Sequence, residues 1–546
     1  MNTTRLRASL AACLAAGAIV AMSWPETVVW GAPLSEAQRQ RQGGQVTPPR
    51  DAVPRGQAAP ASPRFRVSLD RAARLVDASN RGLDYVPGEV IVRFRSLTTP
   101  AARQRALGAL RGQPELGGLE WHGPVAIVRD LTQPDAHVLA DQLSRQPEVM
   151  YAEPNYIVRL SPTERAFRTE PAADGLPPSG APNDEDYATY QWNLSLLNMP
   201  GAWDIQPGGT PDVIVAVLDT GITTSTQSQT FRIWTGSAFE NVPMAFAPNP
   251  DLSSARLADP FDFAFQDTTA VLDMDGHGTH VSSTIGEDTN NVTLAAGLAY
   301  NVRIMPVKVC RGYWEELVIR ALTNTTGFPA TNAGGCPIVD IADGIRYAAD
   351  RGARVMNLSL AGTGTQATIQ DALNYAVSRG AFVAIAMGNN FNSGNPVMYP
   401  ARYAQDIMGV MSVGAVNKSQ TRASYSSTGA HAEIAAPGGQ FQSGTDQGVI
   451  WQSTLFPPDY DPGFLVRRPR FDHYDSIGYQ GTSMATPHVA GLAALIISQS
   501  PGISPANVER AIRATARDIG QPGKDDEFGY GLIQPRNVLF GWGLRK

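Results

Sequence analysis

The sequence predicts an α/β protein: a mostly parallel sheet flanked by helices, with a smaller α+β domain in front of it. Three observations carry this. Residues 213–218 (VIVAVL) form a continuous apolar run, as expected of a strand buried on both faces. Residues 302–309, 353–360 and 381–387 repeat the pattern, and helical stretches at 338–351 and 366–378 lie between them. Strand–helix alternation of this kind builds a parallel sheet covered on both sides. In such sheets reacting groups gather at the carboxyl ends of the strands. The 546 residues allow two or three domains, and an apolar share of 43% is ample for a large core. Only 17% of residues are charged, the net charge is −6 and no long basic run occurs. Nucleic acid and anionic membranes are therefore not expected partners.

Taken in order, residues 1–32 read as an export signal. Arg5 and Arg7 precede an apolar core at 8–22 that is too short to span a membrane, and Gly31-Ala32 offers a cleavage point. No later segment is long and apolar enough to span one. Removal of Cys13 leaves Cys310 and Cys336, which either form a disulfide in an oxidising compartment or stand as two buried thiols. Residues 33–62 are rich in Gln, Arg, Pro and Gly and read as a disordered linker, extended to residue 82. Residues 83–160 alternate strand (88–94), helix (100–110), strand (119–129), helix (135–144) and strand (149–158), a small ferredoxin-like α+β domain. Residues 161–190 are loose, with several Pro and acidic residues. The large domain takes 191–546; within it, 231–247 shows little pattern and reads as a surface insertion.

The chemistry centres on residues 479–500 (YQGTSMATPHVAGLAALIISQS). The apolar spacing reads as a buried helix, with Pro487 expected in its first turn, where a missing N–H costs nothing. Ser483 then lies at a helix N-terminus, where free N–H groups favour negative charge growing on a substrate oxygen; alternatively it only caps the helix. Asp219 ends the first buried strand, placed to orient an imidazole or merely to cap a turn. His277, in Asp275-Gly276-His277-Gly278-Thr279-His280, is the candidate general base. A zinc pair with His280 lacks the Glu of an HExxH pattern and any nearby Cys, so no catalytic metal is expected and His280 reads as structural. Asn389, after the run 381–387 and Gly388, could donate to an oxyanion or sit in a turn. Jointly these residues divide the labour of acyl transfer. His277 takes the Ser483 proton, Asp219 stabilises the imidazolium, and Asn389 with a backbone N–H binds the oxyanion.

Over about residues 191–539 the sequence resembles the subtilisin-like serine peptidases. Asp219-Thr220-Gly221, His277-Gly278-Thr279-His280-Val281, Gly388-Asn389 and Gly481-Thr482-Ser483-Met484-Ala485-Thr486-Pro487-His488-Val489-Ala490-Gly491 match that family's motifs, in the order Asp, His, Ser. The resemblance implies a subtilisin-like fold and a secreted endopeptidase, extracellular or periplasmic, that acts on protein and peptide substrates through an acyl-enzyme on Ser483. A monomer is expected. Pro87-Gly88-Glu89-Val90-Ile91-Val92 and Glu153-Pro154-Asn155-Tyr156 resemble the ends of an inhibitory propeptide, which implies an intramolecular inhibitor in a zymogen cut somewhere in 158–186. Ser359, Leu360 and Ala361, with Gly388, are implied in substrate binding by strand pairing. Ala361 replaces a family glycine there, which narrows the adjoining pocket. A structural calcium is implied at Asp251, Asn290 and Asn291. Two rival functions differ in observable ways: a catalytically silent binding module would not label with an organophosphonate fluoride. An α/β-hydrolase esterase would carry Gly-x-Ser-x-Gly and place Ser before Asp before His.

Overall fold

The computed structural model describes residues 67–160, 165–167, 180–266, 271–330, 334–441, 446–457 and 469–543. The signal at 1–32, the linker up to residue 66 and much of 161–190 lie outside the described residues.

The first described element corrects the linker reading. Helix α1 (Leu69–Arg81) occupies its last part, N-capped by the Ser68 side chain and closed on Gly82 in the left-handed region. Ala72, Leu75, Val76 and Ala78 are buried, a stripe at helical spacing that the polar composition around it obscures. Strand β1 (Tyr85–Phe94), α2 (Pro100–Leu107), β2 (Glu120–His122), β3 (Val125–Arg129), α3 (Ala136–Ser144) and β4 (Val149–Val158) follow. The four strands run in the order β4-β1-β3-β2, antiparallel throughout, the ferredoxin-like arrangement expected, and Cys336–Pro337 of the large domain adds a fifth, antiparallel strand beside β4. The strand read at 119–129 is instead a hairpin. Gly123, at φ +57°, and Pro124 turn the chain so that β2 pairs back on β3. One face of this sheet, with Val90, Val92 and Val128, packs on Leu107, Leu139 and Leu143. Ile91, Val125 and Ile127 on the other face join the core of the large domain.

The large domain contains β5 (Arg165–Phe167), α4 (Trp192–Leu196), α5 (Met199–Trp203), β6 (Ile214–Asp219), β7 (Gln227–Trp234), β8 (Phe239–Phe246), β9 (Phe261–Asp262), α6 (His277–Gly286) and β10 (Arg303–Lys308). It continues with α7 (Tyr313–Leu322), β11 (Cys336–Pro337), α8 (Ile338–Asp350), β12 (Val355–Leu358), α9 (Ala367–Ser378), β13 (Phe382–Ala386), β14 (Val410–Val416) and β15 (Ile434–Pro437). It ends with β16 (Ile450–Leu455), β17 (Arg470–Phe471), β18 (Tyr474–Tyr479), α10 (Thr482–Gln499), α11 (Pro505–Thr515) and α12 (Pro535–Gly543).

Seven strands form one parallel sheet in the order β15-β14-β13-β12-β6-β10-β9. Alternate residues of β6 explain its unbroken apolar run. Val215 and Val217 face α10 and α6, while Ile214, Ala216 and Leu218 face α8 and α9. The strand order reverses at β6, which puts its carboxyl end in the crevice where such sheets bind ligands. Residues 231–247 are not an irregular insertion. They belong to the hairpin β7–β8, whose alternate residues Phe231, Ile233, Val242, Met244 and Phe246 are buried against Trp314, Leu317 and Val318 of α7. Among the described residues no helix is long and apolar enough to cross a membrane.

Candidate active site

Asp219 is the last residue of β6 and fully buried. His277 opens α6, and its Nδ1 lies 2.7 Å from Asp219 Oδ1. A hub the sequence reading passed over holds this pair in place. Asp273 accepts from the N–H groups of Asp275, Gly276 and Thr279 and from the hydroxyls of Thr220 and Thr279. Thr220 Oγ1 in turn accepts from Gly278 N at 2.8 Å. The close approach needs a glycine, because a Cβ on Gly278 would come within 2.5 Å of Gly221 O. Burial alone would lower the His277 pKa. The Asp219 carboxylate, by charge and hydrogen bond, with Asp275 and Asp273 behind it, outweighs burial and raises it. His280 is the structural residue expected. Its Nε2 lies 3.1 Å from both Ile450 O and Ile477 O, its ring stacks on Tyr479, and burial pushes its pKa down to about 3.

Ser483 is the second residue of α10, and Gly481, not Ser483, is the N-cap. Its hydroxyl donates to Ser359 O at 3.2 Å; the hydrogen bond does not run to His277. Ser359 Oγ reciprocates by donating to Ser483 O at 2.8 Å. That bond explains why Pro487 sits in the second turn and not the first. A proline there deprives the carbonyl four residues back, Ser483 O, of its helical donor, and Ser359 supplies one instead.

Asn389 Oδ1 accepts from Thr482 N and Thr482 Oγ1, each at 2.9 Å, which fixes the amide and turns its nitrogen to the other side. A Cβ built on Gly481 would lie 3.3 Å from Asn389 Nδ2 and 3.5 Å from Ser483 N. Asn389 Nδ2 and Ser483 N thus lie near the same point beside Gly481, and Ser483 N, in the first turn of α10, has no intrahelical acceptor. Gly388 N is held by Thr482 Oγ1 at 3.2 Å. Ser359, Leu360 and Ala361 follow β12, and Arg159, just after β4, bridges antiparallel to Ala361.

Cys310 and Cys336 form a disulfide. Among the described residues no three His, Cys, Asp or Glu side chains are grouped as a metal site. Asn291 nevertheless ties two carboxylates together: its side-chain nitrogen lies 2.6 Å from Asp251 Oδ1, and its backbone N–H points to Asp184 Oδ1 at 3.4 Å. Asn290, in the left-handed region at φ +63°, donates its backbone N–H to Asp184 Oδ2 at 3.0 Å. Burial lifts the Asp251 carboxyl to about 7 and, with Asp251 beside it, raises Glu287 too.

Residues 210–531 match the Subtilase family. The chain belongs to the subtilase family. Residues 71–155 match the fervidolysin N-terminal prodomain, a span that includes most of α1. The subtilase is 31% identical to the thermophilic serine proteinase of Bacillus sp. (strain AK1) over 466 residues, 85% of this chain and 90% of the relative. It is 31% identical to thermitase of Thermoactinomyces vulgaris over 342 residues, 63% of this chain and 94% of thermitase. It is 30% identical to the extracellular protease of Xanthomonas campestris pv. campestris over 478 residues, 85% of this chain and 67% of that protein. The crystal structure of fervidolysin from Fervidobacterium pennivorans aligns with a TM-score of 0.60 at 23% identity, over 84% of this chain and 61% of fervidolysin, a likeness of fold. The protein is accordingly a serine peptidase of the subtilisin type that carries an N-terminal prodomain.

Proposed function

We propose that this subtilase is a secreted endopeptidase that cuts peptide bonds through an acyl-enzyme on Ser483 and is made as a self-inhibited zymogen. The observation that carries the reading is the His277–Asp219 bond of 2.7 Å, together with Asn389 Nδ2 and Ser483 N lying within 3.5 Å of one point at Gly481. In this reading the Ser483 hydroxyl leaves Ser359 O and gives its proton to His277 Nε2. Ser483 Oγ then attacks the substrate carbonyl carbon, and the carbonyl oxygen takes negative charge between Asn389 Nδ2 and Ser483 N–H. The peptide C–N bond breaks as the imidazolium returns the proton to the amine, and water repeats the sequence on the ester. Asp219 holds the ring and stabilises its charge. The Ser359–Ala361 segment pairs with the substrate backbone, Gly388 borders the oxyanion space, and the Ala361 methyl narrows the adjoining pocket. The Arg159–Ala361 bridge supports the zymogen reading, since the prodomain tail lies along the strand a substrate would use. Replacing Ser483 by Ala is expected to abolish casein hydrolysis; retained activity would refute the mechanism.

A structural calcium fits the oxygen chemistry of Asp251, the Asn291 amide oxygen after rotation of that group, and Asp184, which the sequence reading left in the linker. Asn290 would shape the loop. The ion would bridge 184 to 251 and lend stability, with no part in the reaction. Chelation is expected to lower the melting temperature of the wild type but not of Asp251→Asn. The N-terminal residues 1–32 act as the export signal, the prodomain leaves after cleavage between 158 and 186, on the N-terminal side of Asp184 if the calcium is kept, and the mature enzyme built on the 191–546 domain works as a monomer. The relative named an extracellular protease supports export.

A further inference from the structure

A lysine is almost never sealed inside a protein unless it is paired, yet β10 ends on one. Lys308 is 1% exposed and stands in register with Asp219, at the end of the neighbouring β6. Its Nζ donates to Thr220 O at 2.6 Å and to Glu315 Oε1 of α7 at 2.7 Å. Glu315 Oε2 in turn accepts from Gly312 N at 3.0 Å, which ties the pair to the start of α7. The Lys308 stem runs beside Gly221, where a Cβ would lie 3.4 Å from Lys308 Cβ and Cδ. The next two residues, Val309 and Cys310, donate their N–H groups to Asp219 O at 2.9 Å and 3.1 Å. Residues 308–310 thus grip the carbonyls of both Asp219 and Thr220. Thr220 in turn spends its other polar groups on the site. Its N–H donates to Asp219 Oδ1 at 2.7 Å, the oxygen that faces His277 Nδ1. Its hydroxyl donates to Asp273 and accepts from Gly278 N, beside His277.

We propose that Lys308 is a positioning residue for the Asp219–His277 pair: its ammonium fixes the Thr220 peptide, and its charge offsets the carboxylates gathered behind the imidazole. Those carboxylates are Asp219 of β6 and Asp273 and Asp275 just before α6. The other titratable or charged groups around the ring are His280 of α6, Tyr479 of β18 and Arg165 of β5, which acts on Asp275. Burial alone would lower the Lys308 pKa, but Glu315, Asp262 and Asp273 outweigh it, so the ammonium stays charged. A fixed cation there disfavours the imidazolium. Without it His277 would keep its proton to higher pH, and Asp219 would lose the peptide that orients it. This inference rests on the reading of His277 as the base for Ser483.

The test measures kcat, KM and the pH profile of kcat/KM on a peptide amide. It uses activated enzyme made from the full chain as wild type, Lys308→Met and Glu315→Gln, with active sites counted by an organophosphonate fluoride. Lys308→Met keeps the stem and removes the charge. It is expected to lower kcat about tenfold at unchanged KM, the cost of a loosened Asp219. It should also move the acid limb of the profile up by about half a pH unit, as loss of one nearby cation requires. Glu315→Gln removes an anion and should move the limb down instead. A pair that served stability alone would lower the melting temperature in both variants and move neither limb, and that result overturns the proposal. Should Lys308→Met fail to accumulate, Glu315→Gln decides: a limb shifted down supports the proposal, and a limb left in place overturns it. A wild-type profile with no acid limb would instead refute His277 as the base, and the proposal with it.

Discussion

The subtilase buries two histidines against carboxylates, one at the prodomain contact and one in the cleft, and makes different devices of them. His122, from β2, has Nδ1 against Asp343 of α8 and Nε2 3.2 Å from Glu120. Burial alone would lower its pKa, but the two carboxylates outweigh burial and lift it to about 9. Between these two carboxylates the ring is held as a cation, and its Nδ1 bond to Asp343 fastens prodomain to enzyme. His277 has a carboxylate on Nδ1 only. Its pKa is also raised, yet Nε2 is left for a proton in transit. The number of carboxylates beside the ring separates this fastener from the proposed base.

Substitutions sharpen that contrast, starting with the largest effect. Asp219→Asn should cut kcat by roughly 10⁴, the general scale for losing the orienting carboxylate of a serine-protease triad. KM should change little, as steady-state kinetics on a peptide amide would register. His122→Gln should leave kcat of the fully activated enzyme unchanged; a catalytic loss there would break the distinction. Asn389→Ala should cost roughly 10²–10³ in kcat, the range known for this donor in subtilisin.

The fastener also has a pH signature. A group whose pKa is raised on folding contributes stability that is complete below its unfolded value, near 6.5, and is lost as pH climbs through the folded value. In Ser483→Ala chains, thermal melts should therefore show the prodomain contact weakening between about pH 6.5 and 9. His122→Gln should flatten that dependence. The smallest effect belongs to Glu153, whose carboxylate accepts from Ala367 N and Thr368 N, each at 2.8 Å. Helix α9 has no side-chain cap of its own, so Glu153→Ala should remove about 1 kcal/mol, readable in the same melts.

Much of this was legible in the chain. Runs such as 213–218 and 381–387 announce strands buried on both faces, and Asp219, His277, Asn389 and Ser483 sit in motifs of high specificity. What was missed depends on partners distant in sequence. The α1 stripe is only meaningful once Ile319 and Phe265 are known to face it. The alternation in 231–247 is blurred because its partner, α7, lies some eighty residues away. Pro487 was misplaced because its acceptable position depends on Ser359, which no local rule can supply. Asp184 reads as one acid among several in a loose stretch until Asn290 and Asn291 fold onto it.

The most direct measurement is the rate at which an organophosphonate fluoride modifies the activated enzyme as a function of pH, with the modified residue located by peptide mass. Labelling is expected on Ser483 alone, rising through a single titration above the ordinary imidazole value as His277 becomes neutral, and slowed severely in Asp219→Asn. A label on another residue, or a rate indifferent to pH and to Asp219, would contradict the assignment of His277 as the base for Ser483.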